Sequence, residues 1–226
     1  MFPTSIAITP QPWNWHCPPT SMFCVKNPWH LPKQKRFASS NLQRIGKLLT
    51  LRAGFSFLLY DLIDRPARAT SGGGGGAIRD LGCYLLDFVT SITGTQDPVR
   101  EWKIIHRYDP SDPGFVLESH ALLQFESGIT ANLSVAVDSP SLNVWEVTGT
   151  HGAAATLRFD TQGLSPVPLY QINEESEGNL SEIAAENTFK LEFEHFLDGV
   201  RGAVLPHISP AESIQNAEWL ERWELG

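Results

Sequence analysis

The chain has 226 residues, 42% of them hydrophobic, and a formal net charge of −8. That length and composition allow one sizeable core or two small ones and exclude collagen-like, disordered and membrane classes; the longest apolar runs, such as 57–60 and 83–86, fall far short of the roughly 20 residues that cross a bilayer. Residues 1–60 hold seven Lys or Arg and no Asp or Glu, which leaves −8 minus 7, or −15, on the remainder; this acidic body argues against nucleic acid and membrane as partners and suits a small polar ligand.

The segment 1–44 is predicted to be irregular, because Pro3, Pro10, Pro12, Pro18, Pro19, Pro28 and Pro32 block long helices and central strands. His16, Cys17, Cys24 and His30 do not have zinc spacing, since six residues separate the two cysteines where about two to four are usual. With Cys83 the cysteines number three, which is no disulfide framework; free thiols in a reducing compartment, the cytoplasm, are expected. The segment has neither the apolar core of a signal peptide nor an amphipathic Arg/Ser helix of the transit-peptide kind.

A half-buried strand is predicted from Lys47, with Leu49, Leu51, Ala53, Phe55, Phe57 and Leu59 on one side and Thr50, Arg52 and Ser56 on the other. Residues 65–71 lead into five glycines, 72–76, and these into a helix over 76–93. Ile78, Leu81, Leu85, Phe88, Val89 and Ile92 form its apolar face, and Gly94 is its stop. Asp80, Tyr84, Asp87 and Ser91, at steps of four, three and four, form a polar stripe; for Asp80 and Tyr84 the bland explanation is a solvated helix face, and Asp87 is read as a structural hydrogen-bond acceptor.

Strands are predicted over 99–107, 116–126, 129–138, 142–148, 154–159 and 167–172, with tight connections at Ser127-Gly128 and Thr150–Gly152 that make neighbours antiparallel. Two helices close the chain. The first carries Phe189, Phe193, Phe196, Leu197 and Val200 and ends at Gly202; the second starts at the capping box of Ser209, Pro210 and Glu212. The order of elements predicts an α+β fold over 45–226, a mostly antiparallel open sheet with helices on one face, and the bare face predicts a homo-oligomer.

The run Gly74-Gly75-Gly76-Ala77-Ile78-Arg79-Asp80-Leu81-Gly82-Cys83-Tyr84 resembles the glycine-rich segment of the Gfo/Idh/MocA oxidoreductases, which leads to an Asp, a Gly and then a His or Tyr. The 51–57 strand, the 123–128 hairpin, the Gly149–Gly152 turn and the two closing helices extend the resemblance over about residues 45–222. It implies the C-terminal, substrate and oligomerisation domain of such an enzyme, without its N-terminal nucleotide-binding domain. By the same resemblance Tyr84 takes the catalytic position, Asp80 orients substrate hydroxyls or a lysine, the cofactor is NAD or NADP, and the substrate is a small polyhydroxy compound. A tyrosine of pKa about 10 needs a partner to exchange protons near neutrality. The family's partner is a lysine in a Glu-Lys-Pro segment of the nucleotide domain, and no Glu-Lys-Pro occurs in this sequence.

Binding of the dinucleotide by this chain alone is not expected. The five glycines can be forced into G-x-G-x-x-A, but no second parallel strand ending in an acid follows to hold a ribose. His106, His120, His151, His195 and His207 are scattered without ligand spacing, Cys83 is read as a packing residue, and no metal is implied. Two functions follow: the substrate half of an oxidoreductase, or a non-enzymatic scaffold descended from one, with the N-terminal segment as a replacement arm.

Overall fold

The computed structural model describes residues 45–58, 70–156, 166–173, 176–206 and 208–226. The predicted irregular segment 1–44, the approach to the glycines at 65–69, the end of the predicted strand at 157–159 and His207 lie outside these residues. Eight strands form one sheet: β1 (Leu48–Leu58), β2 (Val99–Asp109), β3 (Asp112–Phe125), β4 (Thr130–Ala136), β5 (Asp138–Gly149), β6 (Gly152–Thr156), β7 (Val167–Asn173) and β8 (Ser176–Ile183). Their order across the sheet is β2-β3-β4-β1-β5-β6-β7-β8. Every pairing is antiparallel except β1 with β4, so the sheet is open and mixed.

The predicted turns are present. Gly128 N donates to the Phe125 carbonyl at 3.0 Å and Phe125 N to the Ile129 carbonyl at 2.9 Å, closing β3 on β4. Thr148 pairs with Ala153 across the second connection. Three boundaries moved. The β2–β3 hairpin runs out to Asp109 and Asp112, earlier than Val116, because the two strands go on pairing beyond their apolar stretch. Asp138, expected to end one strand, begins β5, since the chain turns at Val137, whose N–H reaches the Leu117 carbonyl at 2.9 Å. The sequence reading missed β8, whose polar run SEGNLSEI shows no alternation that marks a strand.

The helices are α1 (Cys83–Thr93), entered through a π-helical turn at Ile78–Gly82, α2 (Thr188–Val200) and α3 (Pro210–Leu225). None of the described helices is long and apolar enough to cross a membrane. The π turn, α1 and α3 cover one face of the sheet, over the row Leu51, Ala53, Leu123, Phe125, Ala131, Leu133 and Val147. Leu49, expected on the side of Leu51, is 43% exposed, because the pairing with β5 is irregular between Leu48 and Thr50 and Leu48 packs against the core instead. The register sets Arg52, Asn132, Leu122 and Lys103 side by side on the opposite face, and these are solvent-facing.

α3 is locked down by its cap and its tryptophans. Ser209 N donates to Glu212 Oε2 at 2.6 Å and Glu212 N to Ser209 Oγ at 3.2 Å, the predicted capping box. Trp223 is fully buried and donates from Nε1 to Ser119 Oγ of β3 at 2.8 Å, while Trp219 meets Trp102 and Phe125 edge-on at 6.1 and 6.0 Å. Tryptophan combines a large apolar area with one donor, and Ser119 accepts it.

Candidate functional site

The glycine run forms a closed turn. Gly73, Gly74 and Gly75 donate their N–H groups to the Thr70 and Ser71 carbonyls at 3.0 to 3.3 Å. Asp112, from the β2–β3 hairpin, accepts from Ser71 N at 2.8 Å and Ser71 Oγ at 2.5 Å, and these bonds hold its carboxyl below the usual aspartate value. Gly76 adopts φ of +120°, which L side chains rarely reach, with the Val116 backbone 3.4 Å from where a Cβ would stand. A pyrophosphate needs unspent N–H groups and no fixed anion beside it. These residues, with three amides spent and Asp112 adjoining, do not fit a nicotinamide dinucleotide.

The run instead aims the next helix. Ile78–Gly82 forms a wide π turn, where a regular α-helix was expected from Gly76; such turns are often found at functional sites. Gly82 lets α3 approach: a Cβ there would lie 2.9 Å from Leu220 Cδ1 and 3.5 Å from the Trp223 ring. Arg79 Nε donates to Glu224 Oε1 at 2.5 Å, and Asn216 Nδ2 to the Cys83 carbonyl at 3.1 Å, fastening the helix entry to α3. Cys83 is a buried packing residue.

Asp80 and Tyr84 stand one turn apart at this entry. Between Leu81 and Thr90, Tyr84 is the one residue that is half-buried and not buried. Its ring meets Phe55 of β1 edge-on at 5.5 Å. Asp80 is partly buried, with Oδ2 screened from solvent. Further along the stripe Asp87 is only 8% exposed, whereas Asp80, Tyr84 and Ser91 are half-buried. The stripe lies against protein for much of its length. Phe55 is paired with Asn143 on β5, and Trp145, two residues on, stacks at a tilt on Phe88 of α1 at 5.8 Å. Asn143 and Trp145 therefore belong to the neighbourhood of Tyr84. Sequence reading did not single them out, because Val144, Val147 and Trp145 make both faces of β5 apolar and alternation does not say which one the helix covers.

The histidines are separate. His120 bonds Glu118 at 2.9 Å and His151 bonds Thr150 at 2.8 Å, both exposed. His106 is partly buried, 2.9 Å from Ser119 Oγ, and burial lowers its pKa. His195 lies on α2. Among the described residues no group of three or more His, Cys, Asp or Glu could hold a metal ion. On the open face Arg107 makes two 2.8 Å bonds to Asp138 and a third, at 2.9 Å, to Glu118, whose carboxyl this guanidinium holds below its usual value.

The model of the GFO/IDH/MocA C-terminal domain matches residues 41–155. The chain belongs to the Gfo/Idh/MocA oxidoreductase family, and what is present is the C-terminal domain. It is 25% identical over 186 residues to a D-xylose 1-dehydrogenase (NADP(+)) of Haloferax volcanii, covering 81% of this chain and 55% of that protein. It is 32% identical over 112 residues to a trans-1,2-dihydrobenzene-1,2-diol dehydrogenase of Mus musculus, 49% of this chain and 31% of that one. A 3-ketoreductase from Actinomadura kijaniata, in complex with NADP and TDP-benzene, shares the fold with a TM-score of 0.76 at 20% identity, over 88% of this chain and 60% of that chain. The chain thus spans little more than half the length of the xylose dehydrogenase it matches.

Proposed function

We propose that residues 45–226 are the substrate-binding half of an NAD(P)-dependent oxidoreductase acting on a sugar, polyol or dihydrodiol hydroxyl, inactive until a nucleotide-binding domain adjoins them. The observation that carries this reading is the placement of Tyr84: it breaks the buried stretch 81–90 of the helix one turn after Asp80. The relatives named as dehydrogenases of D-xylose and of a dihydrodiol support that substrate class. Oxidising a carbinol removes a proton from oxygen and a hydride from carbon. Tyr84 is assigned the proton, and Asp80 the orientation of substrate hydroxyls or of the lysine that lowers the tyrosine's pKa. Hydride exchange belongs to a nicotinamide held by the adjoining domain.

Two measurements test this. Titrating the 226-residue chain with micromolar NADPH should give no saturable quenching of tryptophan fluorescence; saturable quenching overturns the division of labour. In the chain joined to a nucleotide domain, Tyr84→Phe should lower turnover by about 10²- to 10⁴-fold with cofactor affinity unchanged. Unchanged turnover removes Tyr84 from the reaction.

A second reading, a non-enzymatic oligomerisation scaffold, draws on the uncovered sheet face, whose margins expose Ile105 and Leu122 at one side and Tyr170, Ile172 and Leu180 at the other. Homo-oligomerisation through this face fits either reading. Light scattering of the 226-residue chain tests it, and a monomer at all concentrations would remove the scaffold.

A further inference from the structure

We propose that His106 is a proton-operated latch: protonating its ring unfastens the last turns of α3 from the sheet, and with them the helix entry that carries Asp80 and Tyr84. One hydroxyl joins the parts. Ser119 Oγ lies 2.8 Å from Trp223 Nε1 and 2.9 Å from His106 Nδ1, and it has no third partner among the described residues. An indole N–H only donates, so the Ser119 oxygen accepts from Trp223 and its proton goes to His106. Nδ1 is therefore the acceptor, and the neutral ring carries its proton on Nε2. Nε2 is screened from solvent and has no hydrogen-bond partner among the described residues.

A further proton has only Nδ1 to go to. It turns that acceptor into a donor aimed at the Ser119 hydroxyl proton, and Ser119 is fully buried, so water does not step in as acceptor. The charged ring then holds two screened donors with nothing to accept them, a costly state that opening relieves. The groups around the ring do not offset this. From α3, Glu224 draws the proton on, but its carboxylate is already bonded to Arg79 of the π turn, whose charge opposes the proton. Arg222, also on α3, lies over Trp102. From β2 the Tyr108 ring stands edge-on at 5.7 Å, and Arg107, Glu118 and His120 bond one another on the opposite face of the sheet. Burial outweighs the pull of Glu224.

The latch acts locally. The Trp223 ring lies against Gly82 of the π turn, 3.5 Å from where a Cβ would stand, and the Arg79–Glu224 bond is one residue further along α3. Freeing Trp223 loosens both fastenings of the helix entry. The capping box at Ser209 and the pairing of β4 lie away from the junction and stay formed. The proposal rests on the packing of α3 and not on the reaction assigned to Tyr84, so the two stand or fall separately.

Amide hydrogen exchange of the 226-residue chain between pH 7.5 and 5.5, corrected for the intrinsic rate, tests it. A ring that titrates near its ordinary value of about 6.5 only when released multiplies the opening of α3 about tenfold over that interval. Protection of amides 217–225 should therefore fall about tenfold relative to that of β4. His106→Gln keeps an acceptor for the Ser119 hydroxyl and has nothing to titrate, so in that variant α3 and β4 should keep the same ratio throughout. Ser119→Ala removes the acceptor of Trp223 at every pH and should show weakened protection of 217–225 already at pH 7.5, with no further response. A parallel fall of α3 and β4 in the parent overturns the latch in favour of opening of the whole domain. Unchanged protection of α3 at pH 5.5, or a fall that persists in His106→Gln, overturns it as well. Should His106→Gln not fold, the parent decides alone: the Trp223 indole N–H and the His106 ring should shift in NMR spectra with one midpoint, and separate midpoints overturn the proposal.

Discussion

α1 and α2 carry the same kind of apolar repeat and meet opposite surroundings. In α1, Leu85, Phe88 and Val89 are each no more than 3% exposed, pressed between the sheet and α3. In α2, Phe193 and Phe196 are about twenty times as exposed. Periodicity identifies which side of a helix is apolar, and it does not identify what lies against that side. For α1 the cover comes from α3, about 130 residues further along the chain, and from β1 and β5 beneath. For α2 no described element packs extensively against it. Substitutions at the packed half should therefore cost most, and those towards the rim less.

The largest effect is expected at Trp223, fully buried between the π turn and β3. Trp223→Ala should lower the free energy of unfolding by about 3–5 kcal/mol, read from urea denaturation. Trp223→Phe keeps most of the ring area and loses only the donor to Ser119, so it should cost about 1–2 kcal/mol. A loss below about 1 kcal/mol for Trp223→Ala would mean that α3 is as lightly packed as α2, and the contrast would collapse.

Next is Gly152, at the start of β6. A Cβ there would run into the Ile172 carbonyl oxygen of β7, and a backbone atom cannot swing aside as the tip of a side chain can. Gly152→Ala should cost about 1–3 kcal/mol. If it is neutral, the β6–β7 rim is compliant, and rigidity ends at β5. Ser209→Ala should cost about 1 kcal/mol by leaving Glu212 N without its side-chain acceptor. Equal melting temperatures for that variant and the parent would show that α3 is held by Trp219 and Trp223 alone.

The parts of this molecule legible in the sequence are those with local causes. The hairpin at Gly128 and the cap at Ser209 depend on residues within a few positions of each other, and both are present as read. β1, α1 and the mostly antiparallel sheet followed from alternation and three-to-four spacing, which one covered face imposes. The π turn did not, because it depends on α3 approaching Gly82 from residues 220 and 223. β8 was invisible for a related reason: it pairs through its backbone at the rim, and its side chains need not alternate. At the candidate site, Asp80 and Tyr84 came from the resemblance of the glycine-rich run. Spacing alone allowed a solvated face for that pair, and both residues are half-buried beside the buried Asp87. Asn143 and Trp145 enter through strand register, which a single sequence does not disclose.

The smallest effect, and the one that probes the packed half most locally, is the titration of His106. Its Nδ1 lies 2.9 Å from Ser119 Oγ, the atom that also receives the Trp223 N–H, so the ring belongs to the network that fixes α3 to the sheet. Burial lowers its pKa, and the opposing pull of Glu224 is weaker. A histidine lowered in the folded state is neutral there while the unfolded chain already takes up a proton at about pH 6.5. Its contribution to stability is therefore complete above about pH 6.5 and is lost as the pH falls towards the lowered folded value. The depressed carboxyls of Asp112 and Glu118 act in the same direction but titrate lower, below about pH 4.5, so the two windows separate. Melting temperatures between pH 7 and 5 should fall for the parent and stay nearly level for His106→Gln. An unchanged slope in that variant would show that the ring stays solvated enough to protonate in place, and that the packed half is looser around Ser119 than around Trp223.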